Sequence, residues 1–174
     1  MSYQTVHTIL GQEPVLIADL KLYLRTDYDT DDTLIISLIS AAREQAERFC
    51  NRSFVRQQIE FTKTITIEEA RSNFIVKLPF PNHNAISQVK INGVVTTDYS
   101  VYGTTELSVS VPNMIILDGT TMINLYIKYT TTSECPELVK VAIKNIAKDL
   151  TENRNDKAIL NNAYQMLSSY KVYN

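Results

Sequence analysis

The chain of 174 residues has no tryptophan, only two cysteines, two histidines and four glycines. Each scarcity removes a class of function. None of the glycines stands in a phosphate-cradling loop, so nucleotide binding of that kind has no sequence support. His7 lies in the N-terminal segment and His83 in a Pro-Asn-His-Asn turn, neither near a serine or cysteine at a nucleophile spacing. Both are expected to be solvated. Cys50 and Cys135 are far apart, with no CxxC and no histidine at metal spacing, and are expected as reduced thiols acting as small hydrophobes. The apolar runs, such as Met114 to Leu117, are far short of the roughly 20 residues of a membrane helix. The opening MSYQTVHTILGQEP has no basic stretch leading into an apolar one, so no secretory signal is expected. A net charge of −2 carries no basic surplus of the kind nucleic-acid binding favours. The expectation is a protein kept in a reducing cytoplasm, with no membrane span, no cofactor and no recognisable catalytic constellation.

What is present is an ordinary globular composition: 44% apolar and 21% charged residues, enough for a core without disulfides or metals. Ten tyrosines are compatible with interfaces, where tyrosine is favoured.

Three regions differ in period. PVLIADLKLYLR carries Ile17, Leu20 and Leu24 at helical spacing, with Pro14 suited to a first turn. DDTLIISLISAAREQAERFC, Asp31 to Cys50, predicts a longer helix with Leu34, Leu38, Ala42, Ala46 and Phe49 as one stripe. Arg43–Glu47 and Glu44–Arg48 are spaced to pair on its exposed side. Alternation then takes over. Val55, Ile59, Phe61, Ile65 and Ile67, interrupted by Gln57 and Lys63, predict one long strand, bent or bulged midway. Glu68-Glu69 reads as a solvated turn at its end. Further strands are expected at Phe74–Leu78, ended by Pro79 and Pro81, around Val89–Ile91 with an Asn92-Gly93 hairpin turn, at Leu107–Val111, and at Ile123–Tyr129 after an Asp118-Gly119 turn. Helix returns at Pro136, with Val139, Ile143, Ile146 and Leu150 on one face, and a last helix offers Leu160, Tyr164 and Leu167. The predicted fold is α+β: a helical bundle of N- and C-terminal helices, residues 1–53 and 131–174, with an inserted antiparallel β-rich region at 54–130.

Asp27, Asp29, Asp31 and Asp32 stand within six residues. As a calcium loop from Asp27 they would need glycine and glutamate where Asp32 and Leu38 stand. Starting at Asp29 puts Leu34 and Ser40 in those places, which is worse. Thr30 or Asp31 as helix N-cap explains the cluster, since both accept an orphan N–H and the carboxylates suit the helix dipole. No metal site is expected.

In order along the chain, PVLIADLKLYLRTDYDTDD, LIISLISAAREQAERFCNRSF, VKLPFPNHNAISQVKING, INLYIKYT and CPELVKVAIKNIAKDLTENR resemble the head–tail connector (adaptor, or head-completion) proteins of tailed bacteriophages. Departures are Thr131-Thr132 in place of a family glycine and Thr151 in place of an aromatic. The resemblance implies a structural protein and not an enzyme. It would be made in the host bacterial cytoplasm and placed in the virion at the neck. A dodecameric homo-oligomer would sit under the portal protein, extend the DNA channel without sequence-specific binding, and meet stopper or tail proteins. Arg43, Glu44, Glu47 and Arg48 are then expected at the contacts between ring subunits. The tail Tyr170, Lys171, Val172, Tyr173 and Asn174 is expected to dock on the portal. A stopper or tail-terminator ring subunit is the alternative, and a small metal-dependent hydrolase using the aspartates a distant third.

Overall fold

The computed structural model describes residues 3–25, 32–71, 75–80, 83–102, 108–110, 122–152 and 157–173. Along them run β1 (Tyr3–Ile9), α1 (Ile17–Leu24), α2 (Asp32–Cys50), β2 (Gln57–Thr66), α3 (Ile67–Arg71), β3 (Ile75–Lys77) and β4 (His83–Ile91). Then follow β5 (Val94–Thr96), β6 (Ser100–Tyr102), β7 (Ser108–Ser110), β8 (Met122–Thr131), α4 (Glu137–Glu152) and α5 (Lys157–Ser168). The architecture is α+β with antiparallel sheets. The chain divides into two compact units, one of residues 1–10 and 56–132, the other of 11–55 and 133–173.

The second unit is helical and has one core. Leu20 of α1, Ile35 and Ile39 of α2, Val139 and Ile143 of α4 and Leu167 of α5 all lie in it, fully or almost fully buried. Burying an aliphatic side chain of this size contributes about 1.5–3 kcal/mol. α1 begins at Ile17, three residues after Pro14, and ends at Arg25, which closes it in the left-handed region at φ 54°. In α4 the expected face is the buried one, Val139, Ile143 and Ile146, and the Pro136 carbonyl accepts from the Val139 and Lys140 amides.

α2 departs from expectation. Leu34 is 54% exposed, and the buried stripe runs through Ile35, Ile39, Ala42, Arg43, Ala46, Glu47 and Cys50. LIISLIS offers two apolar stripes one residue apart, and only the partner elements choose between them.

The β unit holds a five-stranded sheet in the order β1-β2-β8-β4-β5 and a three-stranded one in the order β3-β7-β6. β2 and β8 pair without interruption from Gln58↔Thr130 to Thr66↔Met122, so the bulge expected in β2 is absent. The irregularities lie instead in β4, between His83 and Ala85 and between Ile86 and Gln88. Ile59, Phe61 and Ile65 of β2 share a core with Ile123, Leu125, Ile127 and Tyr129 of β8. The Tyr129 hydroxyl donates to the Pro79 carbonyl, and burial raises its pKa. β2 stops at Thr66 because Thr66 and Glu69 form a capping box. The Thr66 amide donates to the Glu69 carboxylate at 2.8 Å, and the Glu69 amide to the Thr66 hydroxyl at 3.2 Å. The expected solvated turn at Glu68-Glu69 is therefore the start of α3. Asn92 and Gly93 both take positive φ, 49° and 84°, and join β4 to β5 as expected. Asp118-Gly119, Phe74, Leu107 and Val111 lie outside the described residues.

The N-terminal segment, assigned no element from sequence and grouped with the helices, forms β1 and pairs from Tyr3↔Lys63 to Ile9↔Gln57. His7 is consequently a strand residue. Its Nδ1 lies 3.0 Å from the Gln57 Oε1, and its ring meets the Phe80 ring edge-on at 5.2 Å.

Candidate functional site

The helix α2 carries the residues expected between ring subunits, and its 3.6-residue turn separates them into two pairs. Arg43 and Glu47 continue the buried stripe, at 1% and 3% exposure, and are not on the exposed side. Glu44 and Arg48 do face solvent and pair loosely at 3.8 Å.

The buried pair has a full set of partners. Arg43 Nη1 donates to Glu47 Oε2 at 2.6 Å, Nε to Glu13 Oε2 at 2.9 Å, and Nη2 to the Ser40 hydroxyl at 3.3 Å. The other Glu47 oxygen accepts the Phe54 amide at 2.7 Å. Burial alone would lower the Arg43 pKa, but the Glu47 and Glu13 carboxylates outweigh it and the net direction is upward. A guanidinium so held exchanges no proton. The cluster fixes the segment before α1 and the turn after α2 onto α2, a mechanical task. Sequence reasoning found the i,i+4 pair but not its burial or Glu13. The available signal was that Arg43 and Glu47 follow Ala42 and Ala46 on the small-residue face.

The C-terminal tail is tied down. The Val172 amide donates to the Cys50 carbonyl at 2.8 Å, and Lys171 Nζ stands 4.9 Å from the Phe49 ring and 5.4 Å from the Tyr173 ring. Tyr173 itself is 73% exposed. Asn174 lies outside the described residues, as do Thr30 and Asp31, the expected N-caps of α2. Asp32 opens α2 and pairs with Lys21 at 2.5 Å.

A groove of about 340 Å³ in the helical unit is lined by Val15, Leu16, Ile17, Ile36 and Ile39, with Gln12 and Glu13 at its polar side. In the β unit, the Lys128 hydrogen bond, with one from Tyr126, holds Glu60 below the usual carboxylate range, and Lys90 stands over the Tyr126 ring at 5.1 Å. Among the described residues no three His, Cys, Asp or Glu side chains gather as a metal site. These features suit holding and contact.

A family model described as "Phage gp6-like head-tail connector protein" matches residues 15–106. The chain belongs to this family. The connector also has the fold of solved neck proteins. A chain in "Neck of empty GTA particle computed with C6 symmetry" matches it with TM-score 0.72 at 14% identity, over 97% of this chain and 96% of that one. One in "Virion of native gene transfer agent (GTA) particle" gives 0.67 at 12% identity, with the same coverage. One in "Neck of native GTA particle computed with C12 symmetry" gives 0.62, also at 12% identity and with that coverage. No curated protein matches. The connector is a structural protein of the head–tail interface.

Proposed function

We propose that the connector assembles as a closed dodecameric ring under the portal, extends the DNA channel, and presents a platform to stopper or tail proteins. The observation that carries this reading is the family match across residues 15–106. The fold likeness to chains of necks computed with C6 and with C12 symmetry is compatible with a twelvefold ring. A net charge of −2 suits a conduit through which DNA must slide, because dense phosphate binding would hold it in place. On this reading α1, α2, α4 and α5 act as one bundle. Glu44 and Arg48 on its exposed α2 face contribute to lateral contacts, which in a ring join two different surfaces of the subunit. Arg43 and Glu47 serve those contacts only indirectly, by fixing α2. The tail from Tyr170 to Asn174 docks on the portal through its exposed aromatic end.

Negative-stain imaging of the connector mixed with the portal protein of the same genome, against each alone, tests the proposal. An added ring at the narrow outer end of the portal is expected. Bare portals, with the protein joined instead to isolated tails, would replace the reading with that of a tail terminator.

A further inference from the structure

Among the described residues, neither end strand of the five-stranded sheet has a partner strand on its outer side. Natural edge strands are protected from association by lysine, proline, bulges or covering loops. β1, with the sequence Tyr-Gln-Thr-Val-His-Thr-Ile, has no proline and no acidic, lysine or arginine side chain. It pairs with β2 on one side only among the described residues, in a regular register without a bulge. Val6 in its middle is 61% exposed. At the opposite edge β5, Val-Val-Thr, is protected only by its shortness: among the described residues it pairs only with β4, and it exposes Val94 and Val95 at 60% and 56%. Two uncharged edges with exposed β-branched side chains would be association hazards in a lone subunit.

We infer that β1 of one connector subunit adds to β5 of the next, so that the sheets continue from subunit to subunit around the ring. The inference rests on the ring reading above and names its contact surface. Two facts favour a second copy as the occupant over a foreign peptide. The edges are different from one another, as the two surfaces of a head-to-tail contact between identical chains are, and neither carries a charged side chain that would repel the other. Four successive antiparallel pairings, β1–β2, β2–β8, β8–β4 and β4–β5, also leave β1 and β5 running in the same direction. The small rotation between neighbours in a large ring preserves that direction, so the new pair is parallel. Its backbone bonds would supply geometry, and Val6 with Val94 or Val95 would supply apolar contact.

Cysteine pairs test this: Val6→Cys combined with Val94→Cys, and Val6→Cys combined with Val95→Cys, each single substitution serving as control. Within one chain the two edges are four strand spacings apart, roughly 19 Å, too far for a disulfide. Mild oxidation of rings assembled on the portal is expected to give a ladder of covalent oligomers from at least one pair and none from the controls. Rings that assemble and yield no ladder from either pair overturn the edge contact while leaving the ring reading standing. Wild-type protein that forms no ring, alone or on the portal, overturns both. As a second variant, proline is placed singly at Val6 and at His7, whose N–H groups point to opposite sides of the strand. The one that keeps the thermal midpoint of the monomer has its N–H on the outer edge, and it is expected to reduce ring yield at least tenfold. Unchanged yield from that variant also overturns the edge contact.

Discussion

Removing the Arg43 guanidinium leaves Glu47 buried without its cation, a cost that exposed residues on the same helix never face. Breaking a buried pair from one side costs about 3–5 kcal/mol, whereas exposed pairs are worth about 0–1 kcal/mol. Arg43→Ala is therefore expected to lower unfolding free energy by about 3–5 kcal/mol in urea titration, and Arg48→Ala by less than about 0.5 kcal/mol. Near-equal effects would show that the Arg43 cluster is well solvated. Cysteine supplies a pH signature. Burial pushes the Cys50 thiol from 9.0 up to about 12, and does the same to Cys135. Between those values the unfolded thiol has lost its proton while the folded one keeps it, so the unfolded state binds fewer protons and stability falls as pH rises. The urea midpoint is expected to drop through that alkaline window, with a shallower slope in a Cys50→Ala, Cys135→Ala double variant. At this scale residue types and spacings were legible in the sequence, and environments were not. Cys50 and Cys135, expected as reduced thiols acting as small hydrophobes, are free, the first buried and the second half-buried. Arg43 did not read as buried, because its burial depends on Glu13, thirty positions away.

The β4–β5 hairpin shows how far local chemistry reaches among the elements. Asn92 and Gly93 were legible as a turn because both residue types accept positive φ. The structure adds that the Asn92 side chain accepts the Asn124 amide of β8 at 2.8 Å, fastening the turn to the next strand. A Cβ on Gly93 would meet nothing within 4 Å, so Gly93→Ala introduces only backbone strain. That strain is about 1–2 kcal/mol, and an equal loss in urea titration is expected. A loss near zero would mean that the turn relaxes to another type. α4 and β8 were legible for the same reason, a clean period unbroken by competing signals. β1 was not, since its alternation of tyrosine, threonine, histidine and isoleucine is too weak to stand out from a polar segment. The end of β2 was missed although the Thr-Ile-Glu-Glu capping-box spacing lay in plain view.

For the whole molecule, assembly separates the roles proposed for the surface. Tyr173 is exposed while Val172 is bonded to Cys50, so deleting the tail would also disturb the end of α2. Tyr173→Ala is the cleaner probe: it is expected to keep the melting temperature and weaken portal binding at least tenfold by light-scattering or biolayer titration. Binding at wild-type strength would end the docking role of the tail. Exchanging the charges on α2, as Glu44→Lys with Arg48→Glu, retains an i,i+4 pair and is expected to reduce ring yield. Rings formed at full yield would remove these residues from the lateral contact. The sequence by itself determined the α+β class, the main helices and central strands, and the family, because each is written in local periods and in the order of segments along the chain. Only the tertiary structure decided which stripe of α2 is buried, that Arg43 and Glu47 belong to the interior, and that the N-terminal segment is an edge strand. Those outcomes depend on partners distant in sequence, Glu13 for Arg43 and β2 for β1, and no local period records a partner.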